Sequence, residues 1–322
     1  MREFQQADQL AHFFFPRRIG ERVDAPSRSI RRSPNPKNSP LNRLRSGWRP
    51  GQKKTRGAGV HAPVVAPGLF VYVLALQFPT RLKITLFIPC FVDLCFPKAG
   101  IGMVKIFERL GHEVDYRPEI TCCGQPAFNS GYWDEARPVA ERTLDLLGDA
   151  EVVVSASGSC GAMLKVFYQE LFHGTAREAA AKRLAGRCFE FSEFLVDRLG
   201  VTDLGASFAG KATFHDGCHG MRELGVKSQP RKLLEKVRGL EMFEMKEAES
   251  CCGFGGTFAA KFPAISTAMG EVKCASAIET GADFIISNDS SCLMQIQGLL
   301  DRQGKQMKTL HIAEVLASRA GD

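Results

Sequence analysis

Two short stretches decide the architecture: Cys122-Cys123-Gly124-Gln125-Pro126-Ala127-Phe128 and Cys251-Cys252-Gly253-Phe254-Gly255-Gly256-Thr257-Phe258. Each joins adjacent cysteines to a glycine, and each is bracketed by lone cysteines at matching distances. In the first half, 31 residues separate Cys90 from Cys122 and 36 separate Cys123 from Cys160. In the second, 32 separate Cys218 from Cys251 and 39 separate Cys252 from Cys292. A pattern that returns in the same order at nearly the same spacing is an internal duplication, and a duplication constrains the fold before any local reading.

Outward from these motifs the chain alternates strand and helix patterns. The first half reads as a strand over Ile84–Pro89, a helix over Ala99–Leu110, a strand over Glu113–Tyr116, a helix over Asp134–Leu147, a strand over Glu151–Ser155 and a helix over Ala162–Phe172. The second half repeats the order: strand Ala212–His215, helix Arg231–Val237, strand Leu240–Met245, helix Ala264–Ile278 and strand Asp283–Ser287. The ends match too, since Cys188-Phe-Glu-Phe-Ser-Glu-Phe-Leu-Val-Asp-Arg resembles Leu310-His-Ile-Ala-Glu-Val-Leu-Ala-Ser-Arg. Such alternation predicts an α/β fold of two pseudo-symmetric lobes, each a mainly parallel sheet flanked by helices and joined by right-handed crossovers. Ligands of such sheets sit beyond the carboxyl ends of the strands, where every repeated cysteine falls. Each lobe is therefore expected to carry its own site, with boundaries at 1–82, 83–205 and 206–322.

Composition supports a globular body with a distinct N-terminal end. The chain has 322 residues, of which 44% are hydrophobic and 24% charged, and this excludes collagen, coiled coil and polytopic membrane classes. The net charge of +7 is concentrated: residues 1–82 hold 15 Lys+Arg against 4 Asp+Glu, leaving 27 against 31 in the rest. Phe13 to Arg56 is rich in Pro, Arg, Ser and Gly without apolar periodicity, a composition that predicts disorder. The apolar stretch Val64 to Phe78 is interrupted by Pro67 and falls short of the roughly 20 residues that span a bilayer. No Met lies between Met1 and Met103. The reading preferred for 1–82 is a misplaced translation start, with Val71, Val73 or Leu82 as the first true residue, ahead of a disordered basic tail. No folded nucleic-acid motif accompanies the basic charge, so no nucleic-acid partner is expected, nor is an integral membrane segment.

Eleven cysteines is an odd number, and none lies in the first 89 residues. Paired disulfides would favour an even count; adjacent Cys-Cys-Gly runs fit a reduced thiol site. One quartet gathers Cys90, Cys122, Cys123 and Cys160, the other Cys218, Cys251, Cys252 and Cys292. Four thiolates suit an iron–sulfur cluster or a structural zinc, and neighbouring cysteines are easier to place on different irons than on one ion. Gly124 and Gly253 are expected beside the thiols, offering close backbone approach and N–H groups toward sulfur. Cys95, Cys188 and Cys274 lack repeat partners and read as packing residues, with Cys95 near enough to Cys90 to be a spare thiol. His215 and His219 flank Cys218 and read as packing or as hydrogen-bond partners of the sulfurs rather than as ligands. Asp289, before Ser291-Cys292, reads equally as a group that orients a donor or as a cap for the following helix.

The stretches Cys90-Phe-Val-Asp, Cys122-Cys-Gly-Gln-Pro-Ala-Phe-Asn-Ser-Gly-Tyr, Ser157-Gly-Ser-Cys-Gly, Cys251-Cys-Gly-Phe-Gly-Gly-Thr-Phe, Ser291-Cys-Leu-Met and His311-Ile-Ala-Glu-Val-Leu together resemble the lactate utilization protein A family. That family lies in the cysteine-rich CCG-domain group, with the cysteine-rich subunit of heterodisulfide reductase and the iron–sulfur subunits of glycolate and glycerol-3-phosphate dehydrogenases. The resemblance covers residues 83–319. It implies an iron–sulfur electron-transfer subunit, with [4Fe–4S] clusters at one or two sites, in a cytoplasmic complex that oxidises L-lactate to pyruvate. It further implies two partner proteins (B- and C-type subunits), contact with a 2-hydroxy acid through the complex, and at most a peripheral membrane association through partners. The five-cysteine pattern of the group has a further Cys three positions after the last, where this chain has Met163 and Gln295. Four-cysteine ligation or a ligand from elsewhere is therefore expected. No flavin or nicotinamide fingerprint occurs, so a two-electron acceptor would have to come from a partner. The alternatives are a heterodisulfide-reductase-like or glycolate-oxidase-type subunit, and a non-catalytic zinc-binding scaffold.

Overall fold

The central strands are short runs of β-branched and aromatic residues. Val152–Ser155 is wholly buried and Lys83–Phe87 is buried after its first residue, as expected of strands covered on both faces. In the computed structural model, which describes residues 81–320, these two strands lie at the centre of the first of two four-stranded parallel sheets. The first contains β1 (Lys83–Phe87), β2 (Glu113–Tyr116), β3 (Val152–Ser155) and β4 (Cys188–Glu190), in the order β2-β1-β3-β4. The second contains β5 (Ser207–Phe214), β6 (Arg238–Met242), β7 (Phe284–Ser287) and β8 (Lys308–His311), in the order β6-β5-β7-β8. The duplication in the sequence is thus a duplication of fold. The readings made for residues 1–80 lie outside the described residues.

Register makes the equivalence residue-specific. Phe87 pairs with Ser155 across β1 and β3, while Phe214 pairs with Ile286 across β5 and β7. Aligning Cys160 with Cys292 therefore places Thr85 with Thr213, Phe87 with His215 and Cys90 with Cys218.

The lobes are interlocked by a shared core. One apolar cluster runs from Ile84, Leu86 and Phe107 through Phe191 and Phe194 to Phe214, Ile286, Ile312 and Val315. The helix α2 (Pro97–Arg109), which follows α1 (Cys90–Cys95), lies against the final helix Ile312–Ala317 of the other lobe. The approach is so close that a Cβ on Gly102 would lie 2.6 Å from the Ala313 carbonyl oxygen. Reciprocally, Ser228–Leu234 of the second lobe lies against Phe191–Glu193 and Phe194–Arg198 of the first, with Gln229 Nε2 donating to Asp197 at 2.6 Å.

Several boundaries move from the sequence reading. The segment expected as a helix over 162–172 begins earlier, as Gly158–Ala162, passes through a π-helical turn at Met163–Phe167 and ends as Tyr168–Leu171. The strand expected at 212–215 starts at Ser207 and stops at Phe214, leaving His215 beyond its end. The helix expected at 231–237 is Ser228–Leu234, and the strand expected at 240–245 is Arg238–Met242. Among the described residues, no helix is long and apolar enough to cross a membrane.

Candidate metal centre

Each repeated cysteine sits just past a strand, as parallel-sheet geometry requires. Cys90 and Cys218 open the helices Cys90–Cys95 and Cys218–Leu224, after β1 and β5. Cys160 and Cys292 lie in the first turns of Gly158–Ala162 and Ser290–Arg302, after β3 and β7. The Cys-Cys-Gly turns complete each group from the neighbouring edge. In the first group, Cys123 Sγ is 3.4 Å from Cys160 Sγ. All eight thiols line one cavity between the lobes. The two quartets, one from each lobe, open onto common space.

The glycine of each motif has a specific job. Gly124 and Gly253 have φ of 85° and 86°, a left-handed conformation that favours residues without a Cβ. That turn points the Gly124 N–H at Cys122 Sγ and the Gly253 N–H at Cys251 Sγ, each at 3.4 Å. The thiols of Cys123 and Cys90, with the glycine N–H behind them, hold Cys122 well below the ordinary thiol range. Cys90 and Cys123 are pushed up by Cys122 first and also by burial. The second quartet repeats this: Cys218 and Cys252 hold Cys251 down, while Cys218 and Cys252 are themselves raised by Cys251. Cys292 is drawn down by Cys252, but burial and the charges of Asp289 and Cys251 leave it raised. In each quartet the first cysteine of the Cys-Cys-Gly turn is thus the thiol favoured to ionise, and the ionised form is the one that binds metals.

The cysteine-rich CCG domain model matches residues 84–165 and again residues 212–297. Lactate utilization protein A of Geobacillus kaustophilus is 47% identical over 239 residues, covering 74% of this chain and 100% of that protein. The protein of the same name from Oceanobacillus iheyensis is 46% identical over 236 residues, covering 73% of this chain and 96% of its own. The chain belongs to the lactate utilization protein A family.

Members of a cysteine-rich family that gather thiols in this way are suited to metal or cluster binding, and the donor set here fits. Among the described residues every cysteine is free of a disulfide. Gly255 and Gly256 line the cavity with positive φ, and a Cβ on Gly256 would meet nothing within 4 Å, which leaves room for a bound group. Met163 is wholly buried in the apolar cluster behind the first quartet, and Gln295 donates to Ser266 Oγ at 3.0 Å. Neither side chain lines the cavity.

The remaining candidates separate clearly. Cys188 and Cys274 are buried in apolar clusters as expected, whereas Cys95 is exposed, so its packing role is corrected. His219 lines the cavity and sets its ring edge-on to Phe167 of the other lobe, 5.6 Å between centroids. His215 is fully buried with neither ring nitrogen hydrogen-bonded. Burial first, and the charge of Lys273 next, lower its imidazole to about 3. Of the two readings of Asp289, the cap is not made; its carboxylate reaches across to the first lobe and orients donors there. There it accepts from the Ser159 N–H at 2.9 Å and from the hydroxyls of Ser157 and Ser159, each at 3.3 Å. Two supporting residues escaped the sequence reading. Tyr168 donates to the Cys123 carbonyl at 2.9 Å, and fully buried Lys273 donates to the carbonyls of Glu247 and, at 3.0 Å, Ala248. Each acts on a segment distant in sequence, so no local signal marks them.

Proposed function

We propose that this protein is an iron–sulfur electron-transfer subunit of a complex that oxidises L-lactate to pyruvate. The observation that carries the reading is the convergence of two four-thiol groups, each with one stabilised thiolate, on one cavity; the relatives' name supplies the substrate. Cys90, Cys122, Cys123 and Cys160 would hold one [4Fe–4S] cluster, and Cys218, Cys251, Cys252 and Cys292 a second. When bound, such clusters supply storage of single electrons. The chain's own residues do the rest. Gly124 and Gly253 stabilise negative charge on sulfur through their N–H groups, and Phe91 and Phe254, edge-on at 5.4 Å across the lobes, cover the cavity. The two-electron chemistry on lactate belongs to partner proteins of B and C type, with the complex in the cytoplasm and reaching a membrane only through those partners.

Anaerobic purification followed by iron, sulfide and zinc analysis tests the reading. Cys122→Ser and Cys252→Ser should each remove about half the iron, because each breaks one four-ligand group. The 3.4 Å between Cys123 and Cys160 sulfurs favours a second reading, since two thiolates on one tetrahedral zinc lie about 3.8 Å apart. A colourless protein that carries zinc without acid-labile sulfide would establish that reading and remove the electron-transfer role.

A further inference from the structure

The two quartets match in sulfur but not in what surrounds them. In the first lobe the last position of the central strand β1 is Phe87, packed in an apolar cluster with Cys123. In the second lobe the same register holds His215, fully buried. Both of its ring nitrogens lack a hydrogen-bond partner. A buried imidazole nitrogen left unpaired has given up its water without compensation, so a buried histidine with two orphan nitrogens points to a missing partner. The atoms that face it identify the kind of partner. A ring nitrogen of His215 and the sulfurs of Cys252 and Cys292 all lie within 4.8 Å of one another. The sulfurs make no hydrogen bond to the ring, and the three atoms are grouped closely enough to hold a metal ion between them. A neutral imidazole in such a place has a lone pair free for a metal.

We propose that His215 contributes an imidazole nitrogen as a metal ligand to the second centre, taking one iron in place of one of its four thiolates and making the two centres chemically unequal: sulfur-only in the first lobe, sulfur and nitrogen in the second. The proposal rests on the reading of the quartets as iron–sulfur sites. Phe87 and Thr143 stand in the first lobe where His215 and Lys273 stand in the second, so the asymmetry extends to charge. Aligning Gly124 against Ala136 and Val139 with Gly253 against Ser266 and Met269 sets Thr143 opposite Lys273.

The test uses the full chain with histidine supplied at natural 14N abundance in an otherwise 15N-labelled protein, reconstituted anaerobically with iron and sulfide and reduced. Pulsed EPR should show a strongly coupled histidine nitrogen in one cluster signal and none in the other. In His215→Phe, which installs the residue the first lobe already uses, that coupling should vanish while the first-quartet signal persists. His215→Cys, which restores a donor, should keep the second-site iron without the coupling. Clusters without any coupled histidine nitrogen, or a coupling that survives in His215→Phe, overturn the proposal and leave the cluster reading standing. A chain that takes up neither iron nor sulfide overturns the cluster reading itself, and the proposal with it.

Discussion

At Gly253 the backbone angle and the surrounding space act together. Its φ of 86° disfavours any residue with a Cβ, and a Cβ built there would lie 2.3 Å from the Ser266 carbonyl oxygen. Gly124 has almost the same φ, but its Cβ would lie 3.3 Å from the Ala136 oxygen, a contact that small shifts can relieve. The left-handed conformation alone costs a non-glycine residue about 1–2 kcal/mol. Gly124→Ala should therefore lose about that much stability, and Gly253→Ala at least about 2 kcal/mol, since helix Pro263–Ile278 must also give way. Both substitutions turn the N–H away from a cysteine sulfur, so both should weaken metal retention at their own quartet. Denaturant titration of metal-free protein, with iron content of the reconstituted chains, checks the ranking; equal losses at the two glycines would contradict the steric argument.

The short helices that follow β4 and β8 occupy equivalent places and are capped in the same way by different chemistry. Glu190 accepts from the N–H groups of Ser192 and Glu193 at 2.7 and 3.1 Å, and Glu193 accepts back from the Glu190 N–H at 3.1 Å. His311 Nδ1 accepts from the Ala313 N–H at 3.2 Å, and Glu314 accepts from the His311 N–H at 3.1 Å. Burial raises Glu190 from 4.5 to about 7 and lowers His311 from 6.5 to about 4. From about pH 4.5 to 7 the folded chain keeps a proton on Glu190 that the unfolded chain has lost, so this group makes stability fall as pH rises. From about pH 4 to 6.5 the unfolded chain binds a proton at His311 that the folded chain does not, so stability rises with pH. The two slopes, each up to about 1.4 kcal/mol per pH unit, oppose one another across their overlap. Glu190→Gln removes the falling slope. Relative to the unmutated chain, its stability should climb by about 1 kcal/mol per unit between about pH 5 and 6.5, measured by denaturant midpoints at each pH. Parallel curves would show that Glu190 ionises as an ordinary carboxylate. These elements also mark what was readable beforehand. The matching tails around Cys188 and His311 were legible because capping patterns are local. The π-helical turn at Met163–Phe167 was not, because nothing in Met-Leu-Lys-Val-Phe distinguishes a widened turn from an ordinary one. The eight cysteines were legible because their spacing repeats. The roles of His215 and Lys273 were not, since each depends on what faces it across the fold.

The lobes meet at a glycine crossing that brings the two quartets to one cavity. Gly158 opens the helix before Cys160, Gly220 lies just after Cys218, and a Cβ on Gly158 would come within 3.1 Å of the Gly220 Cα. Around this crossing the contacts are reciprocal. The Gly158 N–H donates to the Asn288 carbonyl at 3.3 Å, His311 Nε2 meets the Ala156 carbonyl at 2.9 Å, and Asp289 holds the Ser157-Gly158-Ser159 turn. A side chain at the crossing must push both cysteine helices apart, so its effect should reach both quartets, unlike a cysteine replacement that damages one. Gly158→Val should therefore lower iron retention at both sites together and hasten its loss in air, because the wedge opens the cavity walls to water and oxidant. Asp289→Ala removes buried hydrogen bonds to a carboxylate worth about 1.5–3 kcal/mol each at most and should loosen the same crossing without adding bulk. Separate counting of the two cluster signals by EPR after timed air exposure distinguishes a shared effect from a local one. If Gly158→Val bleaches only the first quartet, the crossing merely shapes its own helix, and the common cavity does not couple the fates of the two sites.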